Sequence, residues 1–269
     1  MTAPLNVAML GATGRMGRSI VPLILAATDL QLTGALAAPT DAAIGVDAGV
    51  LAGAAATGVA ITADAARALE GAQVAIEFTL PEATMTHARL CAERACAMVI
   101  GTTGHEPAVL AEIEAIARIV PIVLAPNMSL GVNVLIRLAE LTARALDADY
   151  DAEIYEAHHR HKIDAPSGTA LALGRAVAAA RGKSLEADAV MTRQGNVGAR
   201  PRGAIGFSVA RGGDIVGDHR LTFAGPGEQL ELTHHAQDRS GFARGALVAA
   251  RWVAGRPPAL YTMREVLGL

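Results

Sequence analysis

The fold is decided by residues 7–17, VAMLGATGRMG, in which a short apolar segment leads directly into Gly11, Gly14 and Gly17. The apolar segment is typical of a buried strand, and the residues from 15 onward follow a helical pattern. In such a turn the backbone N–H groups and the positive end of the helix face a phosphate, and glycine is needed where a side chain would block it. The sequence therefore predicts a pyrophosphate-binding turn, with an ordinary glycine-rich connection as the alternative.

Strands and helices continue to alternate through the first half of the chain. Strands are predicted at residues 30–36, 74–78, 98–102 and 121–125, and helices at residues 15–27, 83–95 and 108–119. Regular alternation of this kind predicts an α/β fold, a doubly wound parallel sheet with helices on both faces.

The pattern changes after residue 127. Helices are predicted at residues 133–146, 168–180 and 242–253, and strands at residues 151–157, 204–210, 215–223 and 229–233. The connections between the last three strands are too short for helical crossovers, which predicts a second, α+β domain on a largely antiparallel or mixed sheet. We expect residues 1–127 and 241–269 to form one domain and residues 128–240 to form an inserted second domain.

Composition excludes several classes of protein. Of the 269 residues, 52% are hydrophobic and 18% are charged, which indicates a folded globular chain. Only 3% are aromatic and the formal net charge is −3, so the chain lacks both the stacking residues and the basic excess of a nucleic-acid-binding protein. No apolar segment reaches the roughly 18–20 residues of a membrane span, and residues 1–5 begin no export signal. We expect no membrane partner, a cytoplasmic location, and reduced core thiols at Cys91 and Cys96.

The densest chemistry lies in residues 158–162, HHRHK, five consecutive groups that are cationic or can become so. Such a cluster is costly unless an anion compensates it. The residues that follow, Pro166, Ser167 and a run of small apolar side chains, are typical of a helix start, whose free N–H groups bind carboxylates. Two neighbouring anion sites predict a small-molecule substrate with two carboxylates.

Other interpretations of this segment are weaker. A solvated charged loop is one alternative. A metal site is another, because the histidines of the segment and His234 and His235 are metal-ligating types. However, Arg160 and Lys162 would repel a cation from the same place, so we expect no metal. A nucleophilic triad is not predicted either, since the chain has no Gly-x-Ser-x-Gly turn.

The choice of dinucleotide depends on two departures from the common fingerprint Gly-x-Gly-x-x-Gly. Thr13 occupies the second glycine position, and the second predicted strand ends in LAAP, residues 36–39, where an acid normally binds the ribose 2′-hydroxyl. Without that carboxylate a 2′-phosphate meets no repulsion, and Arg15 offers it a positive partner. We therefore expect NADPH or NADH as cofactor, with NADPH slightly favoured.

Six segments carry a more specific signal. They are residues 11–17 (GATGRMG), 77–82 (EFTLPE), 101–104 (GTTG), 127–133 (NMSLGVN), 156–169 (EAHHRHKIDAPSGT) and 211–219 (RGGDIVGDH). Together they resemble the 4-hydroxy-tetrahydrodipicolinate reductase (dihydrodipicolinate reductase) family of bacterial diaminopimelate and lysine biosynthesis. The resemblance extends over essentially the whole chain, and the segment from residue 156 is highly specific, whereas GTTG or GATGRMG alone is not.

The resemblance implies a Rossmann-like first domain that binds the dinucleotide and a second domain that binds substrate and joins a homotetramer through its sheet. It implies NAD(P)H-dependent reduction of 4-hydroxy-tetrahydrodipicolinate to tetrahydrodipicolinate. His158 would donate or accept a proton and Lys162 would be a second proton donor. The implied substrate contacts are His159, Gly168 and Thr169. The implied cofactor contacts are Gly11, Ala12, Thr13, Gly14, Arg15, Met16, Gly101, Thr102, Thr103, Ala125, Pro126, Asn127 and Met128.

The sequence departs from the family pattern at the ribose. The acidic contact of the family falls on Ala37, with Ala38 beside it in place of a basic residue. Two alternative functions stay open, a related nicotinamide oxidoreductase for another small dicarboxylate and a non-catalytic NAD(P)H-binding sensor. The sensor is disfavoured because it would need neither His158 nor Lys162.

Overall fold

The computed structural model describes residues 3–146 and 148–269. The strands are β1 (Leu5–Leu10), β2 (Leu30–Leu36), β3 (Val74–Glu77), β4 (Ala97–Ile100), β5 (Ile122–Leu124), β6 (Asp151–His158), β7 (Ala189–Val190), β8 (Ile205–Arg211), β9 (Gly217–Gly225), β10 (Glu228–Ala236) and β11 (Leu260–Tyr261). The helices are α1 (Arg15–Ala26), α2 (Ala48–Leu51), α3 (Ala65–Ala68), α4 (Pro81–Glu93), α5 (Pro107–Ile116), α6 (Leu130–Ala145), α7 (Gly168–Ala180), α8 (Leu185–Asp188), α9 (Ser240–Val253) and α10 (Met263–Leu267).

The first sheet consists of parallel strands in the order β11-β5-β4-β3-β1-β2. Alternate residues of β1 face its two sides. Val7 and Met9 belong to one hydrophobic core with residues of α1 and α9, whereas Ala8 and Leu10 belong to a second core with residues of α4 and α5. Helices therefore cover both faces of the sheet, which confirms the predicted doubly wound architecture.

The outermost strand of this sheet was not predicted. β11 is two residues long and pairs in parallel with β5 through Leu260 and Tyr261. A strand of two residues shows no detectable alternation of apolar and polar side chains. It pairs with β5 only because α9 and the residues after it return to the first sheet.

The second sheet has the order β10-β9-β6-β8-β7. β9 pairs antiparallel with β10 and β6, whereas β8 pairs in parallel with β6 and β7, so the sheet is mixed. The short connection between β8 and β9 does not make them neighbours, because β6 lies between them. The parallel pairing of β6 with β8 is possible because α7 lies between them in the chain and serves as the crossover. Residues of α6 and α7 form the core of this region with Phe223, Leu221 and Ile154.

The chain divides into two compact units. One runs to Leu130 and resumes over Arg239–Leu269, and the other is Gly131–Asp238. The divisions lie within three residues of the domain limits expected from the sequence, 127/128 and 240/241.

Cys91 and Cys96 are free and buried in the first unit, as predicted. Over residues 3–146 and 148–269, no helix combines the length and the apolar character needed to cross a bilayer.

Candidate active site

The glycine turn between β1 and α1 is shaped by close contacts that only glycine permits. Gly11 has a φ of +87°, and a Cβ on it would lie 2.2 Å from the carbonyl oxygen of Phe78. A Cβ on Gly17 would lie 2.3 Å from the carbonyl oxygen of Gly11. Gly14 is the N-cap of α1, no side chain caps this end, and the first turn contains no acid. The amino end of α1 thus keeps the positive character that suits an anion.

A cavity of about 660 Å³ opens beside this turn. Its walls come from the glycine turn, from the loops that follow β2 and β3, and from α4. Of the thirteen predicted cofactor residues, Gly11, Thr13, Gly14 and Arg15 line it. This is the carboxyl edge of the sheet, where open α/β sheets bind their ligands.

The remaining residues of the turn support this wall. Ala12 is buried, and its N–H donates to the carbonyl oxygen of Leu36 at 2.8 Å. Met16 packs against the core that contains α1 and α9. Both residues therefore hold the turn against the sheet.

The loops after β4 and β5 lie at the same edge of the sheet, beyond the cavity wall. Thr103 and Pro126 are exposed. Ala125 and Met128 are buried, and a Cβ on Gly245 would lie 1.7 Å from the carbonyl oxygen of Met128. Asn127 accepts a hydrogen bond from the N–H of Ser129 at 2.8 Å. The loop after β5 is thus fixed by its packing on α9.

A buried carboxylate, Glu77, joins the loops after β3 and β4. Its Oε2 accepts the Thr102 hydroxyl at 2.6 Å, and its Oε1 accepts the hydroxyls of Thr79 and Thr84. The oxygen of Thr102 also accepts the N–H of Thr79 at 2.9 Å. Nδ1 of His87, a cavity residue, lies 3.6 Å from Glu77. Thr102 is buried, with 6% of its surface exposed. Its contacts with Glu77 and Thr79 hold the loops after β3 and β4 together.

The segment after β3 was missed as part of the site, although Phe78, Thr79 and Leu80 line the cavity. The signal was available, because these residues follow a buried strand at the edge where ligands bind. A Cβ on Gly101 would lie 2.1 Å from the ring of Phe78, so the two loops are in contact.

The expectation that no acid lies near the ribose position needs correction. Asp41, in the loop after β2, lines the same cavity. Its Oδ2 accepts the hydroxyl of Thr13 at 2.6 Å. The residues at 36–39 are apolar as the sequence says, but the loop folds back and places a carboxylate beside them. An acid is therefore present at this cavity, so its absence can no longer favour NADPH. The preference between NADPH and NADH stays a prediction.

In the second unit, Glu156 organises the predicted catalytic segment. It lies on β6 with 0% exposure. Its Oε2 is 2.6 Å from Nδ1 of His158, and its Oε1 accepts the N–H of Ser167 at 2.9 Å. The guanidinium of Arg211 donates to both oxygens at 2.9 Å. One carboxylate thus brings together the end of β6, the start of α7 and the end of β8.

The cationic segment is compensated within the protein more than the sequence suggested. Lys162 Nζ lies 2.8 Å from Asp164 Oδ1. Arg211, which also donates to the carbonyl oxygen of Asp164, neutralises Glu156. The predicted need for an external anion was therefore overstated. Arg160 and His161 are exposed, whereas His159 is partly buried, with its ring 6.2 Å from that of His161.

The amino end of α7 is built as predicted. Ser167 is the N-cap, and its hydroxyl accepts the N–H of Ala170 at 3.2 Å. The same hydroxyl lies 3.1 Å from Nε2 of His219 on β9. Gly168 is exposed at the first helical position and Thr169 follows it, partly buried. Gly168 and Thr169 therefore stand at the positive end of a helix, close in the fold to His158.

Burial and hydrogen bonds set the protonation of this site. Burial lowers the pKa of His158, and the hydrogen bond and charge of Glu156 oppose this only in part. Burial would raise the pKa of Glu156, but the hydrogen bonds from Arg211, His158 and the N–H of Ser167 outweigh it and lower the pKa. Burial also lowers the pKa of His219 to about 4. The site therefore holds an ionised Glu156 against a histidine whose pKa is lowered by burial, and His219 beside it is neutral at neutral pH.

Space is left beside the second nitrogen of the His158 ring. A Cβ on Gly217 would lie 3.0 Å from Nε2 of His158. Because Nδ1 faces Glu156, Nε2 is the nitrogen that can reach another molecule. Over the residues that the structure describes, no three histidine, cysteine or acidic side chains are grouped as metal ligands.

The sequence matches family models over both units. The model described as dihydrodipicolinate reductase, N-terminus, matches residues 5–128, and that described as its C-terminus matches residues 131–267. The 4-hydroxy-tetrahydrodipicolinate reductase of Thiobacillus denitrificans is 55% identical over 264 residues, 98% of each chain. That of Nitrosomonas europaea is 51% identical over 266 residues, 99% of each chain.

A solved structure has the same fold. The dipicolinate-bound dihydrodipicolinate reductase from Paenisporosarcina sp. TG-14 superposes with a TM-score of 0.77 at 23% identity, over 96% of this chain and 97% of that one.

A glycine turn on a doubly wound parallel sheet, followed by a unit with a mixed sheet, is an architecture of NAD(P)-dependent oxidoreductases. The family models and the relatives named as reductases place the chain in this class. Two family models match the two units, and relatives that are 51–55% identical over nearly the full length carry the name of one reductase. The chain belongs to the dihydrodipicolinate reductase family.

Proposed function

We propose that this chain converts 4-hydroxy-tetrahydrodipicolinate to tetrahydrodipicolinate in diaminopimelate and lysine biosynthesis. The 4-hydroxyl leaves as water, and NAD(P)H and a proton supply the two hydrogens that the ring gains. The observation that carries the proposal is the set of contacts around Glu156. It accepts from His158 and from the amino end of α7, and its partner Arg211 donates to the carbonyl oxygen of Asp164 in the Lys162 loop. Those groups suit a substrate with two carboxylates and a ring that takes up a proton. The 55% identity to a named reductase supports the same reaction.

The residues of the first unit fit a dinucleotide. Gly11 and Gly17 allow the close backbone packing that forms the turn, and no side chain caps the amino end of α1 at Gly14. We assign phosphate binding to this turn, and cofactor contacts to the loops at residues 101–103 and 125–128. When bound, NAD(P)H supplies a hydride. The unit formed by residues up to Leu130 and Arg239–Leu269 is then the dinucleotide-binding domain, and Gly131–Asp238 binds substrate and joins subunits.

The residues of the second unit supply protons and hold the substrate. The ammonium of Lys162 donates a proton to the ring nitrogen of the substrate, and His158 donates or accepts one through Nε2. Glu156 fixes the ring of His158 by accepting from Nδ1, which leaves Nε2 for this exchange. Gly168 and Thr169 bind a carboxylate at the amino end of α7, with His159 as a further substrate contact.

The assay that tests this proposal follows NADPH or NADH oxidation by absorbance, with the product of the preceding synthase as substrate. We expect turnover by the wild type, and a loss of about 10²–10⁴-fold in His158→Ala and in Lys162→Ala. A wild type without turnover would refute the activity, and full rates in both variants would refute the two roles.

A binding experiment isolates the substrate site from turnover. Dipicolinate, a planar dianion that resembles the substrate, should bind with a calorimetric signal that weakens in Lys162→Ala. Equal binding by both proteins would remove Lys162 from the pocket. Glu186→Gln, which changes an exposed carboxylate on α8, serves as the control.

We also propose a cytoplasmic homotetramer joined through the second sheet. Large apolar residues of this sheet, such as Phe207 and Phe223, are buried in the unit's own core. The support comes instead from β10, an edge strand of nine residues with mostly exposed side chains, because a long edge strand offers unpaired backbone groups to another chain. Light scattering after size-exclusion chromatography tests this, and a monomer would contradict it.

A further inference from the structure

We propose that Asp41, held by Thr13, is the residue that recognises the adenosine ribose and makes this protein prefer NADH over NADPH. The proposal rests on the proposed function, since it concerns the cofactor of that reaction. It reverses the slight preference for NADPH expected from the sequence.

The carboxylate of Asp41 is fixed on the cavity wall. Oδ2 accepts the hydroxyl of Thr13 at 2.6 Å, and Oδ1 accepts the N–H of Ala43 at 2.9 Å. The residue is partly buried and lines the cavity together with Gly11, Gly14 and Ala37. Each carboxylate oxygen can accept a further hydrogen bond, so both contacts leave acceptor capacity for a ligand.

Thr13 explains why an acid at this unusual position reaches the site. It occupies the second glycine position of the fingerprint, and its hydroxyl connects the glycine turn to the loop after β2. Its carbonyl oxygen accepts Nε of Arg18 at 3.0 Å. The two departures noted in the sequence, a threonine for a glycine and apolar residues at 37 and 38, therefore belong together. The acid is supplied four residues beyond Ala37, and the threonine holds it there.

The chemistry of the ribose decides which dinucleotide this wall favours. A free 2′-hydroxyl donates a hydrogen bond to a carboxylate, which is how acids after the second strand select NAD in this class of fold. A 2′-phosphate is negatively charged at neutral pH and is repelled by an ionised acid. The hydrogen bond from Thr13 lowers the pKa of Asp41, which keeps the carboxylate charged.

Two arginines near Asp41 carry the positive charge that would favour a 2′-phosphate. Arg18 attracts Asp41 electrostatically and donates to Thr13, so its charge already faces this carboxylate. Arg15 lines the cavity and is exposed, and it is the basic residue that favours a 2′-phosphate. Asp41 outweighs Arg15 because two hydrogen bonds hold the acid on the cavity wall, whereas Arg15 is exposed to solvent.

The experiment titrates NADH and NADPH separately into the protein by isothermal titration calorimetry. We expect the wild type to bind NADH about tenfold more tightly than NADPH, because the ionised Asp41 repels the 2′-phosphate. Asp41→Asn keeps the shape and the acceptor but removes the charge, so the Kd for NADPH should fall about tenfold with little change for NADH. Thr13→Val removes one of the two hydrogen bonds that hold Asp41 and leaves that from the N–H of Ala43, so it should weaken NADH binding and reduce the ratio.

Matched variants separate this effect from general changes. Thr13→Ser keeps the hydroxyl and should behave as the wild type. Glu114→Gln removes an exposed charge on α5, outside the cavity, and should leave both dissociation constants unchanged. If Asp41→Asn does not fold, as judged by circular dichroism, the ratio of the two dissociation constants is compared between Thr13→Val and Thr13→Ser instead.

The outcomes distinguish this inference from the proposed function. NADPH binding as tight as or tighter than NADH in the wild type, or an unchanged ratio in Asp41→Asn and Thr13→Val, would overturn the role of Asp41 while leaving the reductase activity intact. Failure to bind either dinucleotide would overturn both proposals.

Discussion

At the scale of single residues, Glu156 is the group on which the catalytic segment depends. It accepts hydrogen bonds from His158, Arg211 and Ser167 and is shielded from solvent. A buried carboxylate in this position orients the imidazole and opposes the loss of its proton. Its effect on activity is therefore exerted through His158, which makes it a positioning residue.

The variant Glu156→Gln tests this position. Burial lowers the pKa of His158 and Glu156 opposes that change, so removing the charge should lower the pKa further. A lower pKa leaves a smaller fraction of His158 protonated at neutral pH. We expect kcat/KM at neutral pH to fall and the alkaline limb of its pH profile to move to lower pH.

The measurement is kcat/KM from pH 5 to pH 9, with NMR titration of His158 as a second readout. Glu186→Gln is the control because this exposed residue is on α8 of the same unit. A variant with lower activity but an unchanged pH profile would show that Glu156 only stabilises the fold. Glu156→Asp should restore part of the profile.

The space beside His158 leads to a second prediction at this scale. Gly217→Ala would place a methyl group 3.0 Å from Nε2 of His158. We expect reduced turnover with near-normal dinucleotide binding, because the crowded atom exchanges the proton. Gly241→Ala, on α9, is the control, since its Cβ would meet nothing within 4 Å. Equal kcat in both variants would contradict an exchange through Nε2.

At the scale of elements, the amino end of α7 is held by a cap that also contacts the site. Ser167→Ala removes the hydrogen bond to the N–H of Ala170 and the contact with His219. Losing such a cap costs about 1 kcal/mol of the free energy of unfolding. Because Gly168 and Thr169 begin this helix, we also expect weaker binding of dipicolinate.

Chemical denaturation and calorimetry check these two effects of Ser167→Ala. Ser184→Ala is a matched control, because Ser184 is the N-cap of α8 but its side chain makes no capping hydrogen bond. If both variants lose the same stability and neither loses affinity for dipicolinate, the cap has no part in substrate binding.

Hydrophobic periodicity and turn residues predicted most helices and strands. The features that they did not predict depend on pairing between distant parts of the chain. The turn at residues 11–17 and the helix α7 depend on nearby residues, so the sequence predicts them well. The position of β6 between β8 and β9 depends on pairing between residues that are 53 to 73 positions apart, and no local pattern encodes it. The position of Asp41 depends in the same way on a loop folding back to Thr13.

The sequence contains a signal that Glu156 is buried. Side chains alternate across a strand, and Ala152 and Ile154 of β6 are buried on one face. Glu156 shares their parity and is therefore predicted to point inward, where an acid requires a cation and other donors. Arg211, which supplies the charge, lies 55 residues away and is not identifiable from the pattern of β6.

At the scale of the whole molecule, buried histidines make stability depend on pH. His219 is 4% exposed, and burial lowers its pKa to about 4 in the folded protein. The unfolded chain binds this proton near pH 6.5, so between about pH 6.5 and pH 4 the unfolded state holds more protons than the folded state. Stability is therefore present above this window and is lost as the pH falls through it.

The lowered pKa of His219 alone should reduce the free energy of unfolding by about 2 kcal/mol between pH 7 and pH 5. Burial also lowers the pKa of His158 and His234, which adds to the loss with the same sign. Urea denaturation at the two pH values and one protein concentration measures it. The pH dependence should flatten in His219→Gln, which keeps a donor for Ser167, and should persist in His161→Gln, which changes an exposed ring. Equal slopes in both variants would mean that the acid sensitivity of this fold arises elsewhere.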